Sequence, residues 1–289
     1  MLVYKDVVVQ IDLWHVILLG LAFILIACVR YISMVGVYYL VVYKFLKNRL
    51  KKFKINQEFP ERKTVVQESK WALLNKVNFG FVGIGTYFLY KEGHLKVYHD
   101  LNEYGVWYAI LIVPITLVLL DTYFYWIHYF MHHPKYSKKS YHYVHHLFKN
   151  VSPWSAFSVH PIEGFVEILS RPLLLLLIPL HPYSIIAFLI ITFGLNVLGH
   201  SGYEFFQSNY PRTPLLNLGS SATFHYLHHR DSRYNFGLFL NVWDRIMGTM
   251  HPDYEAFYDK VIENRRNFNK VENGKAENSY YDQKPINLS

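Results

Sequence analysis

The sequence contains very little cysteine and little charge. Cys28 is the single cysteine among 289 residues, and only 17% of the residues are charged. One cysteine excludes a disulfide framework, a cysteine-based zinc ribbon and a cysteine-ligated iron–sulfur cluster. The charged fraction is below the roughly one quarter that is usual in soluble globular domains, whereas 52% of the residues are hydrophobic. This composition predicts a membrane protein in which histidine is the abundant metal-binding side chain.

Two further features narrow the functional classes. No histidine is followed directly by glutamate, so the sequence lacks the His-Glu pair of zincin metalloproteases. The formal net charge is +8, but the basic residues stand beside apolar runs, which favours contact with anionic lipid head groups over nucleic acid. We therefore expect a membrane-associated function and no nucleic-acid partner.

The apolar segments predict an all-α, multipass integral membrane protein. Residues 13–43 are long enough to cross a hydrocarbon core of about 30 Å. Six bases and no acid follow in residues 44–54, and the positive-inside rule places them in the cytoplasm. Two hairpins of tilted or half-inserted helices are expected to return to that face, formed by residues 77–90 with 106–127 and by residues 165–180 with 183–198.

This pattern divides the chain into three parts. Residues 1–75 are expected to form a membrane anchor helix and a basic cytoplasmic segment. Residues 76–262 are expected to form the catalytic membrane domain. The remaining residues, 263–289, are polar and poor in aliphatic side chains, and we expect them to be disordered.

Histidines are concentrated in clusters that follow the returning arms, on the side expected to be cytoplasmic. On a helix, residues four apart lie about 6 Å apart on one face, so His128 and His132 can bind one ion. Pairs of histidines three residues apart are also expected to bind one ion each. The histidine that follows each pair is expected to reach a second ion. The pairs are His142 with His145 and His225 with His228, and the following histidines are His146 and His229.

The number of histidines predicts a dinuclear metal site. Nine nitrogen donors are more than one tetrahedral or octahedral centre can use. The expected ligands are His128, His132, His142, His145, His146, His200, His225, His228 and His229. Imidazole ligation without thiolate suits iron, zinc, copper or nickel, and ligand type alone does not choose among them.

Six motifs occur in the order DTYFYWIHYFMHH, HYVHH, FSVHPIEG, LGHSGYE, HYLHH and NVWDRIMGT. Together, over residues 121–249, they resemble the fatty acid hydroxylase and sterol desaturase superfamily of membrane di-iron oxygenases. The resemblance implies an oxidoreductase that binds two iron ions through the nine histidines. It also implies that O₂ is used to hydroxylate or desaturate an unactivated C–H bond of a sterol or fatty-acyl lipid. HSGYE resembles the middle motif of the sterol 4-methyl oxidase branch.

Oxygen chemistry of this kind needs electrons from outside the chain. The sequence has no cytochrome-like haem motif, no cysteine cluster and no glycine-rich nucleotide fingerprint. We therefore expect an external reductase or electron carrier to dock on the cytoplasmic face, where the basic surface suits an acidic partner. The lipid substrate is expected to enter from the bilayer, in a bacterial inner membrane or the endoplasmic reticulum.

Four further residues are candidates for supporting roles or extra ligands. His133 can replace or assist His132. Asp121 lies two helical turns before His128, where a carboxylate can accept the N–H of a ligand ring. Glu204 stands four residues after His200 and is expected to hold a ligand in place or to join the metals, and His160 is expected near the centre.

A different class of function also fits the histidine clusters. A histidine-rich metal transporter or metal sensor would need no oxygen chemistry. A transporter places its ligands near the middle of the membrane, whereas these clusters stand at or beyond the ends of the predicted helices. The positions favour the enzyme over the transporter.

Overall fold

The computed structural model describes residues 12–272 of the chain. These residues form helices and loops, with isolated β-bridges and no strand, which confirms the all-α class. The α-helices are α1 (Leu13–Tyr39), α2 (Lys47–Leu50), α3 (Arg62–Asn75), α4 (Val77–Lys91), α5 (Val106–His132), α6 (Ser137–Ser140), α7 (Pro161–Ile168), α8 (Ser170–Leu177), α9 (Pro182–Gly199), α10 (Ala222–Arg230), α11 (Val242–Met247) and α12 (Tyr254–Glu272). Short 3₁₀ helices include His142–Leu147 and Pro153–Phe157.

Three helices in the described residues are long and apolar enough to cross a membrane. They comprise Leu13–Phe45, Val106–His132 and Pro182–Gly199. Asp12 caps the first, its carboxylate accepting the backbone N–H of His15 at 3.0 Å, and the helix continues beyond α1 through a π-helical turn. Its 33 residues span about 50 Å at 1.5 Å per residue, so the helix must tilt or extend beyond a hydrocarbon core of about 30 Å.

Small residues bring α1 and α4 close together. A Cβ added to Gly80 of α4 would lie 2.9 Å from Cδ1 of Ile24 and 3.2 Å from the carbonyl oxygen of Gly20, both on α1. Close backbone approach of this kind gives dense van der Waals packing between helices in an apolar environment. The N-terminal helix therefore forms one wall of the helical bundle.

The second predicted hairpin has a broken first arm. A continuous helix was expected over residues 165–180, but α7 ends at Ile168 and α8 begins at Ser170. Pro172 explains the break, because its nitrogen cannot donate to the carbonyl of Ile168 and its ring crowds that carbonyl. The return arm, α9, is continuous. The first hairpin joins α4 and α5 through a loop in which Val97 forms a β-bridge with Leu180.

The basic segment after α1 contains one buried lysine. Lys54 is only 1% exposed, and its Nζ lies 4.7 to 5.4 Å from the ring centroids of Tyr43, Phe59 and Tyr203. Cation–π contacts of this kind stabilise a buried ammonium group. One of the six bases counted in the sequence therefore belongs to the core, and the cytoplasmic orientation of the segment stays a prediction.

The expectation of disorder from residue 263 is wrong for residues 263–272, which form the last part of α12. The buried side chains Phe257, Tyr258, Val261 and Ile262 pack with α10 in one core cluster. Their spacing of three and four residues is the apolar stripe of an amphipathic helix. Residues 273–289 lie outside the described residues, and the division of the chain at residues 75 and 262 stays a prediction.

Candidate metal centre

The last turns of α5 carry the first two histidines. His128 and His132 lie on one face of α5, and their Nε2 atoms are 3.2 Å apart. Nδ1 of His128 donates to the carbonyl of Phe236 at 2.7 Å. Asp121, two turns earlier, accepts the backbone N–H of Phe239 at 2.7 Å. The carboxylate of Asp121 therefore holds this loop against α5, and the same loop orients His128.

The 3₁₀ helix His142–Leu147 carries three more histidines. Nδ1 of His142 lies 2.5 Å from Oε1 of Glu163, and both side chains are buried. Nδ1 of His145 donates to the carbonyl of Ser158 at 3.3 Å. These contacts leave the Nε2 atoms of both rings free to point at the site.

His200 and α10 complete the set. His200 follows α9, and its Nδ1 donates to the carbonyl of Asn196 at 2.9 Å. Ser221 caps α10 by accepting the backbone N–H of Phe224. Further along α10, Nδ1 of His228 donates to the carbonyl of Tyr234 at 2.6 Å.

All nine predicted ligands fall into two groups, and within each group the donor atoms lie within 4.8 Å of one another. The first group is His128, His132, His142, His146 and His228, and the second is His145, His200, His225 and His229. The second group is entirely buried, whereas His132 and His146 of the first are half-buried. The geometry is that of two adjacent metal sites, and the role of each histidine as a ligand stays a prediction.

The expected pairing of histidines three residues apart is wrong. His142 groups with His146, and His225 groups with His229, each pair with Nε2 atoms 3.0 Å apart. On an α-helix such as α10, residues four apart are rotated by about 40° and residues three apart by about 60°. The closer alignment puts His225 and His229 in one site, and His228 faces the other.

The ring orientations fit a cation in the first group. Nδ1 of His128 and of His142 each face an oxygen acceptor, a carbonyl and a carboxylate, so each Nδ1 carries the proton. Their Nε2 atoms then carry lone pairs, although they lie 3.0 Å apart. Two lone pairs repel and cannot form a hydrogen bond. A metal ion between the two Nε2 atoms makes this arrangement favourable. A histidine that binds a metal usually donates its other ring N–H to a carbonyl or a carboxylate, as these two rings do.

The second group shows the same chemistry and neutral rings. His145 and His200 each donate from Nδ1 to a carbonyl, and their Nε2 atoms are 3.4 Å apart. Burial lowers the pKa of His145 to about 4 and that of His200 to about 3. These imidazoles are therefore neutral near pH 7, the form that binds a metal. An all-imidazole donor set, with carbonyls fixing the tautomers of His145 and His200, fits iron, zinc, copper or nickel.

The four supporting candidates lie outside both groups. His133 is exposed and its Nδ1 accepts the backbone N–H of Lys135. His160 caps α7 and stacks on Tyr141, with ring centroids 4.2 Å apart. Asp121 contacts backbone amides rather than a histidine ring, as described above.

Glu204 supports α10 instead of contacting a histidine. Its carboxylate accepts the backbone N–H of Thr223, in the first turn of α10, at 3.0 Å, and that of Phe206 at 3.0 Å. It therefore anchors the helix that carries three of the nine histidines. Glu204 therefore supports the site through hydrogen bonds to backbone N–H groups.

Sequence reasoning missed Glu163, which holds His142. Glu163 stands in the motif FSVHPIEG, three residues after His160, which was the candidate chosen from that motif. The carboxylate lies 21 residues from His142 along the chain, and α7 must fold back before the two meet. No local spacing rule predicts that contact.

A cavity of about 620 Å³ connects this centre with the opposite end of the bundle. His128, His142 and His200 line it at the end where the histidine groups lie. Tyr90 and Leu180 line it at the other end, near the loop between α4 and α5. Most of the remaining lining is apolar, which is typical of a site for a hydrophobic ligand.

The fold and the site define a class: a helical membrane protein in which two histidine groups that could hold metal ions lie beside an apolar cavity. The sequence profile of the fatty acid hydroxylase family matches residues 113–249, the segment that contains all nine histidines. Together with the relatives described next, this match supports the resemblance of the chain to the fatty acid hydroxylase and sterol desaturase superfamily.

Several named relatives are similar to the chain. A Delta(7)-sterol 5(6)-desaturase of Schizosaccharomyces pombe is 26% identical over 76% of this chain and 68% of its own length. A Delta(7)-sterol 5(6)-desaturase of Leptosphaeria maculans is 32% identical over 57% of this chain and 45% of its own length. The human lathosterol oxidase is 27% identical, with 71% and 62% covered. No solved structure gives a significant match.

The names of these relatives indicate an oxidoreductase, as expected from the sequence. The chain spans between about half and two thirds of their length. None of the three is named as a sterol 4-methyl oxidase, so assignment to that branch stays a prediction.

Proposed function

We propose that this chain is a membrane-bound oxidoreductase that oxidises a lipid at a di-iron centre held by the nine histidines. O₂ is its co-substrate, and an external carrier supplies the electrons. The observation that carries this proposal is the pair of histidine groups at one end of a lipid-sized apolar cavity. When bound, two iron ions supply the redox chemistry that breaks an unactivated C–H bond, which a redox-inert zinc ion does not provide.

The chain's own residues orient the ligands and keep the site dry. Carbonyls of Phe236, Ser158 and Tyr234 and the carboxylate of Glu163 fix the rings from behind. Because the second group is fully buried, bulk water is excluded from that side of the centre. The apolar cavity walls hold the substrate next to the histidines, with several helices restricting its orientation.

The proposed substrate is a lipid of sterol or fatty-acyl type that enters from the bilayer, and the reaction is either hydroxylation or desaturation. The names of the relatives favour a sterol, and the apolar lining suits either type. We propose a location in the endoplasmic reticulum or the bacterial inner membrane. The basic residues 44–54 support a centre on the cytoplasmic face.

Electrons are proposed to arrive at the first histidine group. Its members His132 and His146 are half-buried, whereas the second group is buried throughout. Lys135, Lys138 and Lys139 are exposed close to that group in sequence. An electron carrier with an acidic surface would be steered to this region by charge complementarity.

Metal content and oxygen consumption test the proposal. Protein produced with added iron is expected to hold two iron ions per chain and to consume O₂ when a chemical reductant and a membrane lipid extract are supplied. Zinc or nickel transport into proteoliposomes without O₂ consumption would instead establish the metal transporter. Zinc in the purified protein alone decides nothing, because an overproduced histidine site takes the more available ion.

Adjacent histidines provide a matched pair of variants. His132→Ala removes a donor of the first group and is expected to lower iron content and abolish lipid oxidation. His133→Ala changes the neighbouring exposed ring and is expected to leave both unchanged. Equal losses in both variants would contradict the assignment of the first group.

A further inference from the structure

A cationic side chain lies within the cavity, far from the basic segment that follows α1. Arg30 is in α1 and lines the cavity. Its guanidinium carbon lies 5.4 Å from the ring centroid of Phe79 and 5.5 Å from that of Phe193. Charged residues within a membrane helix are costly and normally have a partner. The question is which group provides that partner.

The protein does not provide one within the described residues. Nε of Arg30 is buried without a hydrogen-bond partner, and the ion pairs of residues 12–272 do not include Arg30. Aromatic rings stabilise a cation but leave the outer N–H groups of a guanidinium unsatisfied. The missing acceptor must come from outside the protein, and an anionic ligand in the cavity would supply it.

The surroundings of Arg30 are positively charged. Lys76 is 2% exposed, and its Nζ lies 5.4 Å from the same Phe79 ring. Burial, and then the charge of Arg30, lowers the pKa of Lys76 to about 7. Arg171 also lines the cavity, and Glu167 is the one lining carboxylate close to these cations that is not held by a histidine. One carboxylate does not balance the guanidinium groups of Arg30 and Arg171.

The cluster is within reach of the metal centre. Phe193, which stacks against the Arg30 guanidinium, lies seven residues before His200 on α9. Seven residues correspond to about 10 Å along a helix. A head group at Arg30 therefore leaves several methylene groups of a lipid chain between the head and the histidine groups.

We propose that Arg30, with Arg171 and Lys76 nearby, binds the anionic head group of an amphipathic lipid inside the cavity. The head is a carboxylate or a phosphate, both of which accept charge-assisted hydrogen bonds from a guanidinium. This inference rests on the proposed function in treating the cavity as the lipid site. It selects an acyl lipid with a charged head over a neutral sterol as the ligand.

Binding of a fluorescent fatty acid to the purified full-length chain tests the proposal. The probe is cis-parinaric acid, and its methyl ester is the uncharged control with the same chain, both titrated in one detergent at pH 7.5. The wild-type chain is expected to bind the acid about tenfold more tightly than the ester, because only the acid makes the charge-assisted contact. Equal affinities would overturn the proposal without any variant.

Variants then assign the effect to Arg30. Arg30→Gln is expected to remove the preference for the acid and leave the affinity for the ester unchanged, whereas Arg30→Lys retains part of it. Glu167→Gln removes a competing carboxylate and is expected to tighten binding of the acid severalfold. Lys44→Gln, an exposed charge beyond α1, is the matched control and is expected to change nothing. Equal weakening of acid and ester by Arg30→Gln would overturn the proposal.

Competition identifies the head group. Displacement of the probe by oleate more readily than by oleoyl lysophosphatidic acid supports a carboxylate, and the reverse supports a phosphate. Displacement by a neutral sterol, with neither anionic lipid effective, would overturn the proposal. Binding is measured without turnover, so a chain that prefers the acid but oxidises no lipid would contradict the proposed function and leave this site intact.

Discussion

Hydrogen-bond acceptors behind the rings decide which nitrogen of several histidines faces the metal site. The carboxylate of Glu163 and the carbonyls of Phe236 and Tyr234 accept hydrogen bonds from Nδ1 of three rings in the first group. The Nε2 lone pairs are thereby directed inward before any ion binds. Preorganisation of this kind raises metal affinity because the rings need not be reoriented on binding.

Glu163→Gln is expected to weaken metal binding. The amide can still accept the His142 N–H, but it lacks the negative charge that raises the basicity of the ring, so affinity falls by roughly tenfold to a hundredfold. Competition with a chelator of known affinity measures the change. Glu103→Gln alters an exposed carboxylate in the loop between α4 and α5 and serves as the control. Unchanged affinity in Glu163→Gln would show that the carboxylate has no part in holding the ligand.

At the scale of helices, α10 is the element on which both metal sites depend. It supplies His225 and His229 to one group and His228 to the other. Glu204 anchors its first turn, and α12 covers its outer face through the shared core cluster. The part of α12 that follows residue 262 joins this support, because Arg265 donates to the carbonyls of Phe206 and Glu204.

Arg265→Ala is expected to destabilise the protein by about 1–3 kcal/mol, because two carbonyls lose a charged donor. Its side chain also lies over the ring of Phe53, at 4.5 Å. Arg266 is the adjacent exposed arginine, and Arg266→Ala is expected to change stability by less than about 0.5 kcal/mol. Thermal unfolding in detergent, followed by circular dichroism, compares the two. Equal stability of both variants would mean that the end of α12 does not support the site.

For the molecule as a whole, collecting nine imidazoles in one place makes folding depend on pH. Burial lowers the pKa values of His145 and His200 below the ordinary value near 6.5. The unfolded chain therefore takes up protons between about pH 6.5 and pH 4 that the folded chain cannot take up. Stability is fully present above pH 6.5 and is lost as the pH falls through this window.

Metal-free protein is expected to show this dependence most clearly. Its unfolding temperature should fall between pH 7 and pH 5, with a loss on the order of 1–2 kcal/mol for each buried histidine. Bound metal keeps the rings deprotonated, so the loaded protein should remain stable to lower pH and then lose metal and structure together. An unfolding temperature of the metal-free protein that is constant from pH 7 to pH 5 would contradict the neutral, buried state of these rings.

The amino-acid sequence by itself was enough to predict the helical membrane class and the set of nine candidate histidine ligands, because apolar length and imidazole spacing are local properties of the chain. The division of those histidines into two sites was decided by tertiary structure. So were the contact of Glu163 with His142, the anchoring role of Glu204 and the entry of Arg30 into the cavity. Each of these features joins residues that are distant in sequence. It therefore depends on how the helices pack and on where Pro172 interrupts the helix. Spacing predicts which side chains share a helical face, but only the fold determines what that face meets.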